Sequence, residues 1–408
     1  MICLGVNPKT NNPDEYAKIV AENFGIDYES WYIFRKDNME QHSRAFQFHP
    51  YEVAFCGYSH SGKTTLITHL LEKFLGSCTI GYIKHDVHSF GMDHHGKDTF
   101  RAKASGAHTV FISDPNHYAL IRSGQIDPVV YSHEFLENDL VFVEGYKSSD
   151  MPKFILVDDR AEILEKEKSL RHIIAYVGDP KQQSKIPAQQ TYFHRDDVEG
   201  IAQCLLAHLK KQVGQIPIYG LVLAGGGSTR MKKDKSQLEY HGQSQSVHCF
   251  ELLSKYCDQV FISNRQNQVY LSGHKTLPQI HDTFTDIGPL GGILSAMTRS
   301  PEAAWLVLAC DLPFVNPRTI ETLIHRRNPF KMATAYQNAE NHLPEPLCAI
   351  YEPKAVFRLL QFLACGIHCP RKILLNSSVE LILPDENLAL DNVNTPEEYS
   401  EAIKRIKK

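Results

Sequence analysis

The sequence predicts an α/β protein made of two different three-layer α/β domains in tandem. Three observations predict it. The chain has 408 residues, room for two or three domains of roughly 100–200 residues each. Short apolar runs alternate with helix-period segments, the pattern of crossover units and mainly parallel sheets. Two glycine-bearing turns, Gly57–Gly62 and Gly225–Gly227, each follow an apolar strand, and the stretches around them show no mutual repeat. The expected division is residues 1–49 as an N-terminal extension, 50–214 as a first domain and 215–408 as a second.

Composition narrows the class. Hydrophobic residues make up 42% and charged residues 22%, a globular balance that excludes wholesale disorder. A net charge of −4 carries none of the basic excess of a general nucleic-acid binder. Apolar runs such as Trp305–Cys310 fall far short of the roughly 20 residues of a membrane span. Met1–Thr10 lacks the basic-then-apolar order of a secretory signal. Ten cysteines are too sparse for a disulfide scaffold and fit reduced thiols in a cytoplasmic protein. Cys365, His368 and Cys369 lie close together, without the second ligand pair a zinc site needs.

The extension holds one expected helix, Pro13–Phe24, opened by Asn12 as cap and Pro13 at its first position. With the aromatic stretch Trp31–Phe34 it reads as a packed or partly mobile extension ahead of any functional reading.

The first domain opens with an apolar strand, Tyr51–Cys56, and continues Gly57-Tyr-Ser-His-Ser-Gly-Lys-Thr-Thr65. Strand, loop and helix together are the context that makes a phosphate loop credible. Gly57 and Gly62 let the backbone wrap an anion, while N–H groups including those of Ser61 and Thr65 point at phosphates. Lys63 reaches the β- and γ-phosphates, and the Thr64 hydroxyl suits Mg²⁺. Helical patterns at Thr64–Phe74 and Asp196–Val213 alternate with strand runs at Thr79–Ile83, Thr109–Ile112, Leu140–Val143 and Ile173–Val177. Glu144, leaving the strand Leu140–Val143, either holds the metal or is an ordinary strand-end carboxylate. The segment from Ile83 to Asp98 carries Lys84, Lys97 and four histidines. It reads as a phosphate or partner site ahead of a metal site, or as a solvated loop.

These pieces, in this order, resemble the MobB family of GTP-binding adaptors in molybdenum-cofactor nucleotide attachment. They are Gly57–Thr65, Ile83-Lys-His85, Gly96-Lys-Asp98, Gly106-Ala107 and Val143-Glu-Gly-Tyr-Lys147. The resemblance implies a P-loop NTPase-like domain that binds GTP, with weak hydrolysis at best. It also implies phosphate and magnesium on Lys63 and Thr64, and Glu144 beside the metal. Tyr146 stands where the family usually has Phe.

The second domain starts after Gly214, a helix stop, and Pro217, with the strand Ile218–Leu223. Further strand runs are Gln259–Ser263, Trp305–Ala309 and Leu347–Tyr351. Leu223-Ala224-Gly225-Gly226-Gly227 delivers backbone N–H groups to a triphosphate or base edge, and Arg230 and Lys235 add fixed positive charge. Attack on an α-phosphate builds negative charge that such cations stabilise. Asp311, ending the strand Trp305–Cys310, suits magnesium at the carboxyl edge of a parallel sheet, or simply caps a turn. Gly288, Pro289, Gly291 and Gly292 form another backbone-exposing turn, where Gly291 and Gly292 would let a nucleotide or pterin pack closely and turn chemistry alone would explain Gly288-Pro289. Asn392 and Asn394 precede a last helix capped by Thr395 with Pro396 at its first position.

This set is similar to the MobA family, the molybdenum cofactor guanylyltransferases, over Ile218–Ile406. The resemblance implies a Rossmann-like nucleotidyltransferase. In it Leu223, Ala224, Gly225, Gly226, Lys235, Asn264 and Asp282 hold GTP, and Asp311 holds Mg²⁺ beside it. Arg230, Lys235 and Asp311 carry catalysis, and Gly288, Pro289, Gly291 and Asn394 sit near the pterin or its phosphate. Lys232 replaces the family's usual glycine.

The implied activity is transfer of GMP from GTP to molybdopterin, releasing pyrophosphate, assisted by the adaptor domain. Implied partners are GTP, molybdopterin, molybdenum-insertion proteins and molybdoenzyme apoproteins, with neither nucleic acid nor membrane. The rivals are a cytidylyltransferase or sugar-phosphate nucleotidyltransferase of the same fold, and a GTP-switched adaptor or metallochaperone with an inactive transferase domain. Relatives using CTP usually carry Ala-Gly after Leu-Ala, so Gly225-Gly226 favours GTP.

Overall fold

The computed structural model describes residues 49–84, 93–123, 128–167, 170–224, 235–265, 276–338, 341–385 and 387–407. The expected helix at Pro13–Phe24 and the aromatic stretch Trp31–Phe34 lie outside the described residues.

The first sheet is fully parallel, six strands in the order β2-β5-β1-β6-β7-β8. Its strands are β1 (Glu52–Cys56), β2 (Ile80–Lys84), β5 (Leu140–Glu144), β6 (Lys153–Leu156), β7 (Ile173–Gly178) and β8 (Tyr192–His194). β1 and β5 are buried along their whole length, which is why both read as continuous apolar runs and not as alternating ones. Helix α1 (Lys63–Phe74) packs Leu66, Ile67, Leu70 and Phe74 on one face of this sheet. The helices α2 (Asp98–Ala104), α3 (Pro128–Phe135) and α4 (Glu162–Lys166) are shorter. α5 (Val198–Val213) begins where the Asp197 carboxylate accepts the Gly200 N–H at 2.9 Å. Gly214 ends it with φ −64°, a right-handed close that makes no use of glycine's left-handed freedom.

The run Thr109–Ile112 departs from expectation. It is a strand, β3 (Thr109–Ser113), but it pairs only with β4 (Tyr118–Arg122) in an antiparallel hairpin off the main sheet. The reason is local. Asp114 accepts the N–H groups of Asn116 and His117, each at 2.7 Å, so Asp114-Pro115-Asn116 turns the chain straight back. A β-branched run looks the same in sequence whether it is buried or lies on an exposed ribbon.

The second sheet has seven strands in the order β11-β10-β9-β12-β14-β13-β15. They are β9 (Ile218–Leu223), β10 (Gln259–Asn264), β11 (Gln279–His281), β12 (Ala304–Ala309), β13 (Ala333–Gln337), β14 (Pro344–Tyr351) and β15 (Val379–Ile382). β14 alone runs antiparallel to its neighbours. Helices α6 (Gln245–Leu253), α7 (Pro289–Arg299), α8 (Pro317–His325), α9 (Ala355–Ala364) and α10 (Pro370–Leu375) cover the faces. The last helix, α11 (Pro396–Ile406), starts with the expected cap: Thr395 and Glu398 form a reciprocal box around its first turn. Two helix-covered sheets, each with helices on both faces, give the α/β class expected. No helix among the described residues is long and apolar enough to cross a membrane.

Candidate functional site

Two strand edges gather the chemistry-bearing residues. At the first, β1 ends at Cys56 and the chain turns through Gly57–Gly62 into α1. Gly57 has no room for a side chain: a Cβ there would lie 2.4 Å from Ser61 Oγ and 2.8 Å from Leu156 O. Gly62 stands before the helix at φ 88°, and His60 is also left-handed at φ 64°. Such turns aim successive N–H groups at one point. The Ser61 hydroxyl is 5% exposed and has no hydrogen-bond partner among the described residues. A buried unpaired hydroxyl costs free energy, so it favours a ligand that supplies an acceptor. Lys63 Nζ donates to Tyr58 O at 2.8 Å, and burial lowers its pKa. Thr65 sits exposed on the first turn of α1.

Glu144, at the end of the neighbouring strand β5, is the electrostatic centre of this edge. The Thr64 hydroxyl donates to its carboxylate at 3.0 Å and the Tyr82 hydroxyl at 2.7 Å. Lys84 approaches at 3.5 Å. The structure therefore brings Lys63, Thr64 and Glu144 together, as their types require, although 80 residues separate Thr64 from Glu144. A hydroxyl and a carboxylate side by side are hard oxygen donors of the kind Mg²⁺ takes, so these residues fit that ion.

Sequence reasoning missed what props this edge. The Cys56 thiol donates to Gly145 O at 3.0 Å, and Lys153, fully buried, donates to Lys147 O and Ser149 O. Both hold the turn after Glu144, where Gly145 and Tyr146 adopt φ 110° and 50°. Lys147 lies 4.4 Å over the Tyr58 ring, and both it and the Tyr58 hydroxyl bond Glu167. Lys147 holds the Glu167 carboxyl below its usual pKa. Of the histidine-rich segment, residues 85–92 lie outside the described residues, as do His85 and Asp86 within it. No cluster of three or more metal-ligating side chains occurs among the described residues.

The second edge is formed by β9, β10 and β12. Leu223 and Ala224 stand where β9 ends, with Ala224 N–H donating to Ser263 O at 3.1 Å. Gly225, Gly226 and Arg230 lie outside the described residues; Lys235 opens a short 3₁₀ turn. Asn264, 1% exposed, is engaged at both ends of its amide, donating to Gln279 at 2.6 Å and facing His281 Nδ1 at 2.7 Å. Asp282 accepts the Ser263 hydroxyl at 2.7 Å, and burial pushes its pKa up. Asp311, half-buried, stands two residues past the end of β12, and its backbone oxygen accepts the Val393 N–H at 2.9 Å. That bond brings the segment before α11, and with it Asn394, to the Asp311 turn. Asn394 N–H itself donates to Glu398 at 2.6 Å.

The Gly288 turn divides. Gly288 has φ 65° and ψ −145°, a conformation open to glycine, and Pro289 starts α7. Gly291, however, is no ligand-facing glycine. Its Cβ position lies 2.2 Å from Phe284 O, and its N–H bonds Gly288 O. Gly292 likewise faces Ser263 Oγ at 2.3 Å and Leu223 Cδ2 at 2.8 Å. Gly291 lets α7 close on the Phe284 loop, and Gly292 lets it press against β9 and β10. A buried partner the sequence did not reveal is Glu345, at the start of β14. Arg371 pairs with it at 2.9 Å, burial raises its pKa, and the nearby Asp311 charge adds to the rise.

Two family models match the chain. Residues 53–179 match "Molybdopterin guanine dinucleotide synthesis protein B", and residues 220–378 match the "MobA-like NTP transferase domain". A "Molybdenum cofactor biosynthesis bifunctional protein" of Synechocystis is 41% identical over 47% of this chain. The chain spans 55% of that protein's length. A "Molybdopterin-guanine dinucleotide biosynthesis adapter protein" of Escherichia coli is 29% identical over 40% of this chain and 95% of its own length. A "Molybdenum cofactor guanylyltransferase" of Xanthomonas euvesicatoria is 29% identical over 46% of this chain and 96% of its own length. The chain thus carries a MobB-family domain over residues 53–179 and, after it, a MobA-like NTP transferase domain over residues 220–378.

Proposed function

We propose that the chain transfers GMP from GTP to molybdopterin, forming molybdopterin guanine dinucleotide and releasing pyrophosphate. The unit from residue 215 to 408 performs transfer, the unit from 50 to 214 binds GTP as an assisting adaptor, and 1–49 is an extension. The observation that carries the reading is the position of the two family matches: each covers one of the two phosphate-binding turns and its strand-end carboxylate.

In the transferase unit a phosphate oxygen of the pterin attacks the α-phosphorus of GTP. The new P–O bond forms as the bond to the β-phosphate oxygen breaks, and the electron pair leaves with pyrophosphate. Leu223, Ala224, Gly225 and Gly226 hold the nucleotide through backbone groups, and Asn264 and Asp282, at the neighbouring strand ends, hold it with them. Lys235 and Arg230 oppose the charge that builds on the phosphates. Bound Mg²⁺, held by Asp311 here and by Thr64 and Glu144 in the adaptor unit, would supply further charge neutralisation. Gly288, Pro289 and Asn394 border the acceptor side. No covalent intermediate is required, and positioning supplies much of the acceleration. Hydrolysis of GTP in the adaptor unit is weak. GTP is favoured over CTP by Gly225-Gly226, molybdenum-insertion proteins and molybdoenzyme apoproteins are the expected partners, and the location is cytoplasmic.

The test is Asp311→Ala. Pyrophosphate release with GTP and molybdopterin should fall about 10²–10³-fold with the melting temperature held. Turnover at the wild-type rate would remove Asp311 from the mechanism.

A further inference from the structure

The turn Leu136–Asp139, which leads into β5, is seated on the second unit. Leu136 packs within the core built around β12 and β14. Lys354, 2% exposed, donates to Leu136 O at 3.3 Å and Asn138 O at 2.9 Å. Lys331 lies 2.8 Å from the buried Asp139 carboxylate. Glu137 accepts the Ser378 N–H at 2.7 Å and faces Arg358 at 3.0 Å. The Tyr51 and Phe330 rings meet edge-on at 4.8 Å.

Every one of these contacts, apart from Arg358 on α9, lies at the edge where parallel strands begin. Tyr51 and Asp139 immediately precede β1 and β5. Phe330 and Lys331 precede β13, Ser378 precedes β15, and Lys354 follows β14, the strand that runs the other way. The other strand ends lie at the opposite edges: Gly57–Gly62 follows β1, Ala224 follows the end of β9 and Asp311 lies just past β12. β5 takes about 13 Å to reach Glu144 and β12 about 16 Å to reach Ala309, at roughly 3.3 Å per residue.

We propose that the two units are permanently docked through the edges where their strands begin, so that the two nucleotide sites of one chain open away from each other and no bound molecule passes directly between them. The linker supports a fixed dock. Four residues, 214–217, join α5 to β9, and Ile216 packs against the cores of both units at once. The units cannot swing apart without withdrawing Ile216 and Leu136 from apolar surroundings and stripping Lys354 of its two carbonyl partners. A pterin nucleotide released at the transferase edge therefore crosses solvent before it meets any P-loop site. Calling both edges nucleotide sites rests on the function proposed above; the docking does not.

The test uses the full chain with Cys365→Ser, Cys369→Ser, Glu137→Cys and Ser378→Cys, bridged by a short, reducible thiol-specific reagent. The dock predicts near-complete bridging with or without nucleotide. It also predicts that GTP affinity and transfer rate stay within about twofold of the unbridged chain, since neither step requires the units to part. Two results would overturn it: failure to bridge in the native chain, or a tenfold or larger loss of transfer that reduction restores. If the unbridged chain transfers no nucleotide, the proposed function fails instead, and bridging yield with GTP affinity still decides the docking.

Discussion

The two strand edges are built by different means. The first is a loop wired to one carboxylate: Thr64 and Tyr82 hydroxyls and the Lys84 ammonium all converge on Glu144. The second is a stack of strand ends locked to one another. Ser263 holds Asp282, Gln279 and His281 hold Asn264, and Gly292 lets α7 close against Leu223. The first edge leaves polar groups ready for a ligand, such as the Ser61 hydroxyl. At the second, the side chains of Ser263, Asn264 and Asp282 are engaged with one another's neighbours across the strand ends. A loop of the first kind binds and releases, whereas a rigid edge of the second kind suits chemistry that needs fixed geometry.

The lysines give the largest expected contrast. Lys235→Ala should lower kcat/KM for transfer by about 2.7–4 kcal/mol, as for loss of one group aimed at developing charge. Arg at this position should rescue poorly, because a planar fork does not replace a point charge. Lys63→Ala should remove GTP binding at the first edge and leave transfer intact, as expected of distant sites without shared partners. Equilibrium GTP binding and steady-state kinetics on the same preparations check this. Equal damage from both lysines would mean one composite site and end the contrast.

A smaller effect tests the rigid edge. Gly292→Ala puts a methyl group 2.3 Å from Ser263 Oγ and 2.8 Å from Leu223 Cδ2, so these side chains or α7 must shift. Overpacking of this kind costs about 1–3 kcal/mol, read from denaturant midpoints, and transfer should fall as well. Full stability and full activity in this variant would show that the edge yields.

The two edges explain which parts of the molecule the sequence makes legible. The phosphate loop is a contiguous strand, turn and helix, so its residues and its fold announce each other. Glu144 was readable as a strand-end acid, but its partners Tyr82 and Lys84 come from another strand. The pairing of β2 with β5 is set by long-range packing and not by spacing. Gly291 and Gly292 read equally well as ligand-facing or as packing glycines, and only Phe284 O and Ser263 Oγ in place decide the matter. Glu345 sits between two prolines and looks like a turn residue until β14 is seen running antiparallel and buried. The exposed hairpin of β3 and β4 was legible in principle from Asp114-Pro115-Asn116.

The smallest expected effect is in pH dependence, where the carboxylates of the two units have opposite signs. Glu167 has its pKa lowered by Lys147, so its contribution to stability is present above the ordinary carboxylate range and is lost as pH falls through its folded value. Asp282 is raised by burial, so the fold binds more protons there than the unfolded chain does. Its penalty sets in as pH rises from the ordinary value through the raised one. Asp282→Asn should flatten the stability curve in that window, and Glu167→Gln should flatten it on the acid side. Urea unfolding from below the ordinary carboxylate pKa up to neutral pH reads both. The same slope in both variants would contradict the assignment.

The central claim is that one edge transfers and the other binds. The direct measurement offers GTP, CTP and ATP, each labelled on the α-phosphate, with molybdopterin to the wild-type chain and to Lys63→Ala, scoring label on the pterin and pyrophosphate released. The account predicts stoichiometric product from GTP alone, at equal rates in both proteins. Product from CTP in preference to GTP, or loss of transfer in Lys63→Ala, would contradict it.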